Sequence, residues 1–249
     1  MVYFMITSGH RVGSRWLHYL LADIYKKEVT PEIDISKIVS KKKTIRRYLK
    51  NNKIPKFHGA NFSDIADNIK PNDYKILGVV RDPRDRAVSY TFHNRYHEKG
   101  NFWQKKFKTD IEALNYTIYK DATFWFEEVQ QAEIMKPGLS ILNSKTNKTN
   151  FIWVTYEWLH ENPCKNLKLI IDFFGEKVRD EIIVKFLNEH SFKNKSGREE
   201  GEEKRDDLWR RKGIVGDWKN WLDEKGVEKL KSATDTYYSK IAEEFKNGS

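Results

Sequence analysis

The chain has 249 residues, 39% of them hydrophobic and 14% aromatic, enough to enclose one substantial core, and we expect one domain over residues 1–249. A total of 46 Lys and Arg against 36 Asp and Glu gives a net charge of +10, which favours an anionic partner such as a nucleotide, nucleic acid or an acidic membrane. Cys164 is the only cysteine, which excludes an intrachain disulfide and a cysteine-rich metal site, and no apolar run is long enough for a signal peptide or a membrane span; a soluble, cytoplasmic protein is expected.

Residues 2–7 are apolar and β-prone, a glycine-containing polar loop follows, and Trp16, Leu17, Leu20, Leu21 and Ile24 recur at helical spacing. A basic helical stretch is predicted around 36–51, a short strand near Ile54 to His58, and a helix capped by Ser63 and running through Ile69. Tyr74 to Val80 reads as a buried strand, and Pro83 suits the first turn of a helix reaching His97. Residues 108–135 read as one helix with Phe124, Trp125 and Phe126 in the core. Phe151 to Tyr156 is a further strand, with a helix through Phe174 behind it. This alternation predicts an α/β fold, a mostly parallel sheet flanked by helices. Residues 193–216 shift to charge and glycine and are expected to form a lid loop, after which an amphipathic helix from Asp217 closes the chain. The runs Lys41 to Lys43 and Lys105, Lys106, Lys108 read as solvated faces.

Three segments carry chemistry. The first, Ser8 to Leu17, lies between a strand and a helix, where glycines let the backbone approach an anion and the helix N-terminus points N–H groups at it. Arg11, Ser14 and Arg15 add donors. The Walker lysine of a nucleotide-triphosphate loop is missing after Gly13. In the second segment, Val79 to Tyr90, Arg81 at a strand end and Ser89 two turns into a helix face the crevice at the carboxyl edge of the sheet; Arg84 and Arg86 are expected to face solvent or to pair with Asp82 and Asp85. The third, Arg211 to Asn220, places two cations and two glycines before a helix.

Together these segments resemble the cytosolic-type sulfotransferase family. Arg11-Val12-Gly13-Ser14-Arg15-Trp16-Leu17 is similar to its Lys-Ser-Gly-Thr-Thr-Trp-Leu loop, a P-loop-like element that holds the 5′-phosphosulfate. Arg81 to Tyr90 resembles its Arg-Asn-Pro-x-Asp-x-x-x-Ser-Tyr element with the same Arg-to-Ser spacing, and Arg211 to Asn220 matches Arg-Lys-Gly-x-x-Gly-Asp-Trp-Lys-Asn at every specified position. Lys56-Phe57-His58 resembles the Lys-x-His element that carries the catalytic base, and Tyr156-Glu157 and Ser191-Phe192 resemble further family elements. The resemblance spans roughly residues 3–240.

It implies transfer of a sulfuryl group from 3′-phosphoadenosine 5′-phosphosulfate (PAPS) to a hydroxyl or amine of a small-molecule acceptor, without a metal. Arg11, Val12, Gly13, Ser14 and Arg15 would hold the phosphosulfate. Arg81, Ser89 and Arg211, with the backbone of Lys212 and Gly213, would hold the 3′-phosphate. Trp16, Tyr156 and Phe192 would frame the adenine. His58 would take the acceptor proton, and Lys56 with Arg11 would stabilise the developing charge. Two departures stand out: Arg11 occupies a position that relatives give to lysine, and Asp223 and Glu224 replace the Thr-Val of the family's dimerisation element, so that route to a dimer is unsupported. A P-loop-type nucleotide kinase, a basic nucleic-acid-binding module and an inactive PAPS binder are the competing readings. Phe57, Phe92, Tyr96, Phe102, Trp103 and Trp125 are candidates for lining an acceptor pocket.

Overall fold

The computed structural model describes residues 3–8, 10–29, 33–34, 53–54, 56–58, 74–97, 102–129, 132, 151–207 and 210–247. Chain order gives β1 (Tyr3–Ser8), α1 (Ser14–Ile24), β2 (Glu28–Val29), β3 (Ile33–Asp34), β4 (Lys53–Ile54), β5 (Lys56–His58), β6 (Tyr74–Val80) and α2 (Pro83–His97). There follow α3 (Phe102–Lys106), α4 (Asp110–Tyr119), α5 (122–129), β7 (Phe151–Thr155), α6 (Tyr156–Glu161), α7 (Pro163–Phe174), α8 (Asp180–Glu189) and α9 (Phe192–Ser196). A 3₁₀ turn (Asp217–Asn220), α10 (Glu224–Ala233), a π-helical turn (Thr234–Tyr238) and α11 (Ser239–Asn247) complete the described chain. The helix predicted around 36–51 and the one capped by Ser63 lie outside the described residues.

The main sheet has five strands in the order β3-β5-β1-β6-β7, and each of its pairings is parallel. Parallel strands end at one edge, so the loops leaving them gather at a single crevice. The register fixes which residues arrive there together: Ser8 lies opposite His58 on one side and Val79 on the other, and Val80 lies opposite Thr155. Alternate residues of the central strands, Leu77, Val79 and Val154, pack on Leu17, Leu20, Leu21, Ile170 and Ile171 of α1 and α7. A second core joins Val88 and Phe92 of α2 to Leu114 and Ile118 of α4, Phe124 of α5 and Leu230 of α10.

Several boundaries differ from the sequence reading, each for a local reason. The stretch expected to run unbroken from 108 stops at Lys120 and restarts, because the Asp121 carboxylate accepts the N–H groups of Thr123 (2.9 Å) and Phe124 (3.3 Å) as a new N-cap. Within α5, Phe124 is fully buried but Phe126 is 62% exposed, so Phe126 is not a core residue. Residues two apart on a helix point about 200° apart, and only one of the pair can face inward. The helix behind β7 is divided at Asn162-Pro163: proline has no N–H to donate, and the Asn162 side chain caps the new start by accepting from Lys165 N (3.3 Å). The closing helix expected from Asp217 is likewise four elements rather than one, and α8 appears where no helix was predicted.

Candidate active site

The loop between β1 and α1 is shaped by two left-handed residues, Arg11 (φ 65°) and Gly13 (φ 79°). Glycine is required at position 13 for a second reason: a Cβ there would overlap the ring of Tyr156. Gly13 O accepts Trp16 N at 3.1 Å, which starts α1 at the crevice with its first-turn N–H groups directed out of the helix. Val12 and Ser14 are buried, so Val12 anchors the loop by packing and offers only its backbone to a ligand. Arg11 reaches across to α2, its Nε donating to Ser89 Oγ at 3.3 Å and its Nη1 lying 3.4 Å from His93 Nδ1.

Arg81 follows the last residue of β6. Its guanidinium lies 4.6 Å from the Tyr156 ring centroid, its Nη2 donates to Ile214 O at 3.4 Å, and its Nε is buried with no hydrogen-bond partner in the protein. Tyr156 is therefore a wall rather than an open platform, with Gly13, Arg81 and the His160 ring (centroids 4.3 Å apart) packed on it. Trp16 lies on the far side of His160 at 5.5 Å and donates its indole N–H to His190 O at 2.9 Å. Burial first, and then the Arg81 charge, hold His160 down at about 4, so its ring is neutral near neutral pH.

One turn into α2, Asp85 accepts Gly216 N (2.7 Å) and Trp218 N (2.9 Å), tying the third segment to the second. Asp82 pairs with Arg84 at 2.6 Å, as anticipated. Arg86 does not: it is fully buried, pairs with Glu127 and Glu128, and donates to His10 O at 2.9 Å beneath the loop between β1 and α1. Glu128 also accepts Tyr237 O–H (2.6 Å), so a buried charge is enclosed by compensating partners on all sides.

Residues 197–216 are organised by side chains. Arg198 donates to the carbonyls of Glu202 (2.8 Å), Arg210 (2.6 Å) and Arg211 (3.1 Å) and to Asp207 (2.8 Å), while Lys204 N bonds Arg211 O and Gly201 N bonds Lys212 O. Arg205 pins the loop to α4 through Asp110 (2.8 Å). Arg211 pairs with Glu203 and Asp217 and stacks 4.4 Å over Phe92; Lys212 bonds Asp217 at 2.8 Å. Burial pushes the Asp217 carboxyl up, but hydrogen bonds from Arg211, Lys212 and Asn220 prevail and hold it at about 2. At Gly213 (φ 72°) a Cβ would overlap the Phe192 ring.

Lys56 is buried in β5 opposite Ile6, and the His58 backbone ends β5 beside Ser8; the side chains of Phe57 and His58 lie outside the described residues. Direct contacts thus join Arg11 to Ser89 and Arg81 to Ile214, whereas Arg211 sits one turn further along α2, at Phe92. The sequence reading passed over His93, His160 and Arg198, and took Asp85 as a partner for Arg84 or Arg86 rather than as the acceptor of Gly216 N and Trp218 N. His93 alone had a legible signal, standing four residues after Ser89 on one helix face. Of the acceptor-pocket candidates, Phe92 and Trp103 are buried and Trp125 packs into the same core, while Phe102 is 59% exposed.

Fold and site define a class first: a parallel α/β protein whose strand-to-helix loop and basic third segment converge at one sheet edge, lined there by arginines. The family follows from the comparisons. Mouse sulfotransferase 6B1 is 25% identical over 232 residues, covering 88% of this chain and 71% of the relative. Sulfotransferase 2A1 of Macaca fascicularis is 29% identical over 161 residues, covering 59% of this chain and 50% of the relative. The crystal structure of mouse sulfotransferase SULT7A1 complexed with PAP shares the fold, with a TM-score of 0.69, 21% identity and coverage of 100% of this chain and 89% of that one. The sulfotransferase domain model matches residues 3–245, and the chain belongs to that family. It is a sulfotransferase, transferring a sulfuryl group to an acceptor.

Proposed function

We propose that the acceptor is a small molecule presenting a hydroxyl or amine, and that the sulfuryl group moves at the crevice where β1, β5 and β6 end. The observation that carries this reading is the buried, unpartnered Nε of Arg81 between the Tyr156 wall and the Arg211 to Asn220 segment. Asp85 Oδ2 lies 3.9 Å from Arg81 Nη2 and offsets part of the charge, but the buried Nε still needs an acceptor, and a phosphate oxygen suits it.

In this reading Arg81, Ser89 and Arg211, with the backbone of Lys212 and Gly213, bind the 3′-phosphate of the donor. Gly13, Ser14 and Arg15 bind the 5′ end at the start of α1, and Trp16 and Phe192 border the base. When bound, PAPS supplies an electrophilic sulfuryl group on a phosphate leaving group. Residues 193–216 form a lid over it, and the chain works as a single domain. Lys56 and Arg11 set positive charge where negative charge develops, which lowers the barrier by electrostatics without covalent catalysis. His58, at the strand end beside Ser8, accepts the acceptor's proton. With Cys164 as its only cysteine, the protein suits a reducing compartment, the cytoplasm.

His58→Ala is expected to lower turnover by about 10²- to 10⁴-fold while adenosine 3′,5′-bisphosphate (PAP) affinity hardly changes. The loss should be greater on an aliphatic alcohol than on a phenol already partly ionised. Near-normal turnover on an alcohol would remove His58 from the role.

A further inference from the structure

We propose that His93 is a positioning residue that fixes the Arg11 guanidinium for sulfuryl transfer, the partner this chain supplies to an arginine standing where relatives carry lysine. The inference rests on the donor-site reading above. Arg11 holds a left-handed backbone (φ 65°) that is strained for a non-glycine residue, and such strain persists where surrounding contacts enforce it. Those contacts include Ser89 Oγ at 3.3 Å from Nε and His93 Nδ1 at 3.4 Å from Nη1. Ser89 and His93 stand four residues apart on α2, so two acceptors one helical turn apart hold two nitrogens of one planar fork.

The chemistry explains why an arginine here needs the histidine. A lysine is a compact point charge with rotatable donors, whereas a guanidinium is a rigid fork whose plane must be set. Ser89 alone is a poor orienter, because its hydroxyl also serves the 3′-phosphate. It can accept from Arg11 and still donate its O–H to the phosphate, but it holds only one edge of the fork. His93 holds a second nitrogen. Burial first, and then the charges of Arg11, His97 and His10, keep its ring at about 4, so it is neutral at neutral pH, and a neutral ring that accepts from Arg11 at Nδ1 carries its proton on Nε2. Arg11 is thereby held from α2, the helix that also carries Ser89 and Asp85, so the donor loop and the 3′-phosphate contacts are oriented by one rigid element.

The test has two readouts. In protein labelled with ¹⁵N-histidine, His93 should show the neutral Nε2–H tautomer at pH 7, and its ring resonances should move in Arg11→Ala. In turnover, His93→Ala should lower kcat by about 10- to 100-fold, the scale of an ångström misplacement, with the PAP dissociation constant within about threefold of wild type. His93→Asn, which returns an acceptor near the Nδ1 position, should restore most of the loss. In an Arg11→Lys background, His93→Ala should cost less than about threefold, since a lysine does not need the second acceptor. An equal loss in both backgrounds, no rescue by asparagine in a folded variant, or a ring spectrum indifferent to Arg11→Ala overturns the proposal. A wild-type protein that neither binds PAP nor transfers from PAPS overturns the donor-site reading instead, and the ring spectrum then still decides the contact.

Discussion

The donor loop and the 197–216 segment flank one crevice, and each rests an aromatic ring on a left-handed glycine: Tyr156 on Gly13, Phe192 on Gly213. They are held by different forces. The donor loop is clamped between β1, which pairs on both sides, and α1, whose Leu17, Leu20 and Leu21 are fully buried, and Arg86 fastens it from below through His10 O. The described residues of the 197–216 segment form no strand or long helix; Arg198, Arg205, Arg211 and Asp217 hold them through side-chain hydrogen bonds and ion pairs. The first is rigid by packing, the second by charge that a ligand or salt can compete for.

Substitution at the two glycines probes that difference most strongly. Gly13→Ala meets both a left-handed backbone and a ring that cannot retreat, and should weaken PAP by about 100-fold or more in calorimetric titration, the size expected for two or three kcal/mol of strain and displacement. Gly213→Ala meets the Phe192 ring at the start of the charge-held segment, which can shift, and should lose only about tenfold. Comparable losses would mean that both segments are equally rigid.

Arg198→Ala should release the second region while leaving the first intact. Protease cleavage within 197–216 should rise by about tenfold and be only partly suppressed by saturating PAP, because several backbone carbonyls lose their donor at once. In the wild-type chain, saturating PAP should protect the same span. Unchanged cleavage in Arg198→Ala would transfer the ordering of this segment to its other contacts.

Acid separates the regions with a smaller effect. His160 and His93 border the donor loop, and burial, reinforced by nearby arginine charge, holds both at about 4 against 6.5. An unfolded chain binds these protons below about 6.5 and the native state does not, so this part of the stability is complete above that pH and falls as pH drops toward 4. Asp217, held at about 2 against 3.8, gives the second region a contribution present above 3.8 and lost as pH falls toward 2. Thermal melts from pH 7.5 to 4 should show a declining midpoint, with a shallower slope in His160→Phe. An unaltered slope would show that His160 titrates normally.

The same contrast governs what was legible in the sequence. β6 and the full extent of α2 followed from apolar run length and Pro83, because strand and helix signals are local. The Arg211 to Asn220 signature was legible as a motif, but its attachment to Asp85 was not, since a carboxylate reaching 131 residues along the chain leaves no periodic trace. Arg86 was misplaced because a charged residue on a polar helix ordinarily faces water; only the arrival of Glu127 and Glu128 from α5 makes its burial tolerable. Arg198 had no role of its own within the expected lid loop, because its partners lie on the returning half of the same loop.

The central claim is that Arg81 faces the 3′-phosphate of the donor nucleotide, and one pair of titrations tests it most directly. PAP and adenosine 5′-monophosphate are titrated into the wild-type chain and into Arg81→Ala. Losing a buried, charge-assisted contact should weaken PAP by about 100-fold while the monophosphate, which lacks the 3′-phosphate, changes by less than about threefold. Equal losses for the two nucleotides would contradict the account.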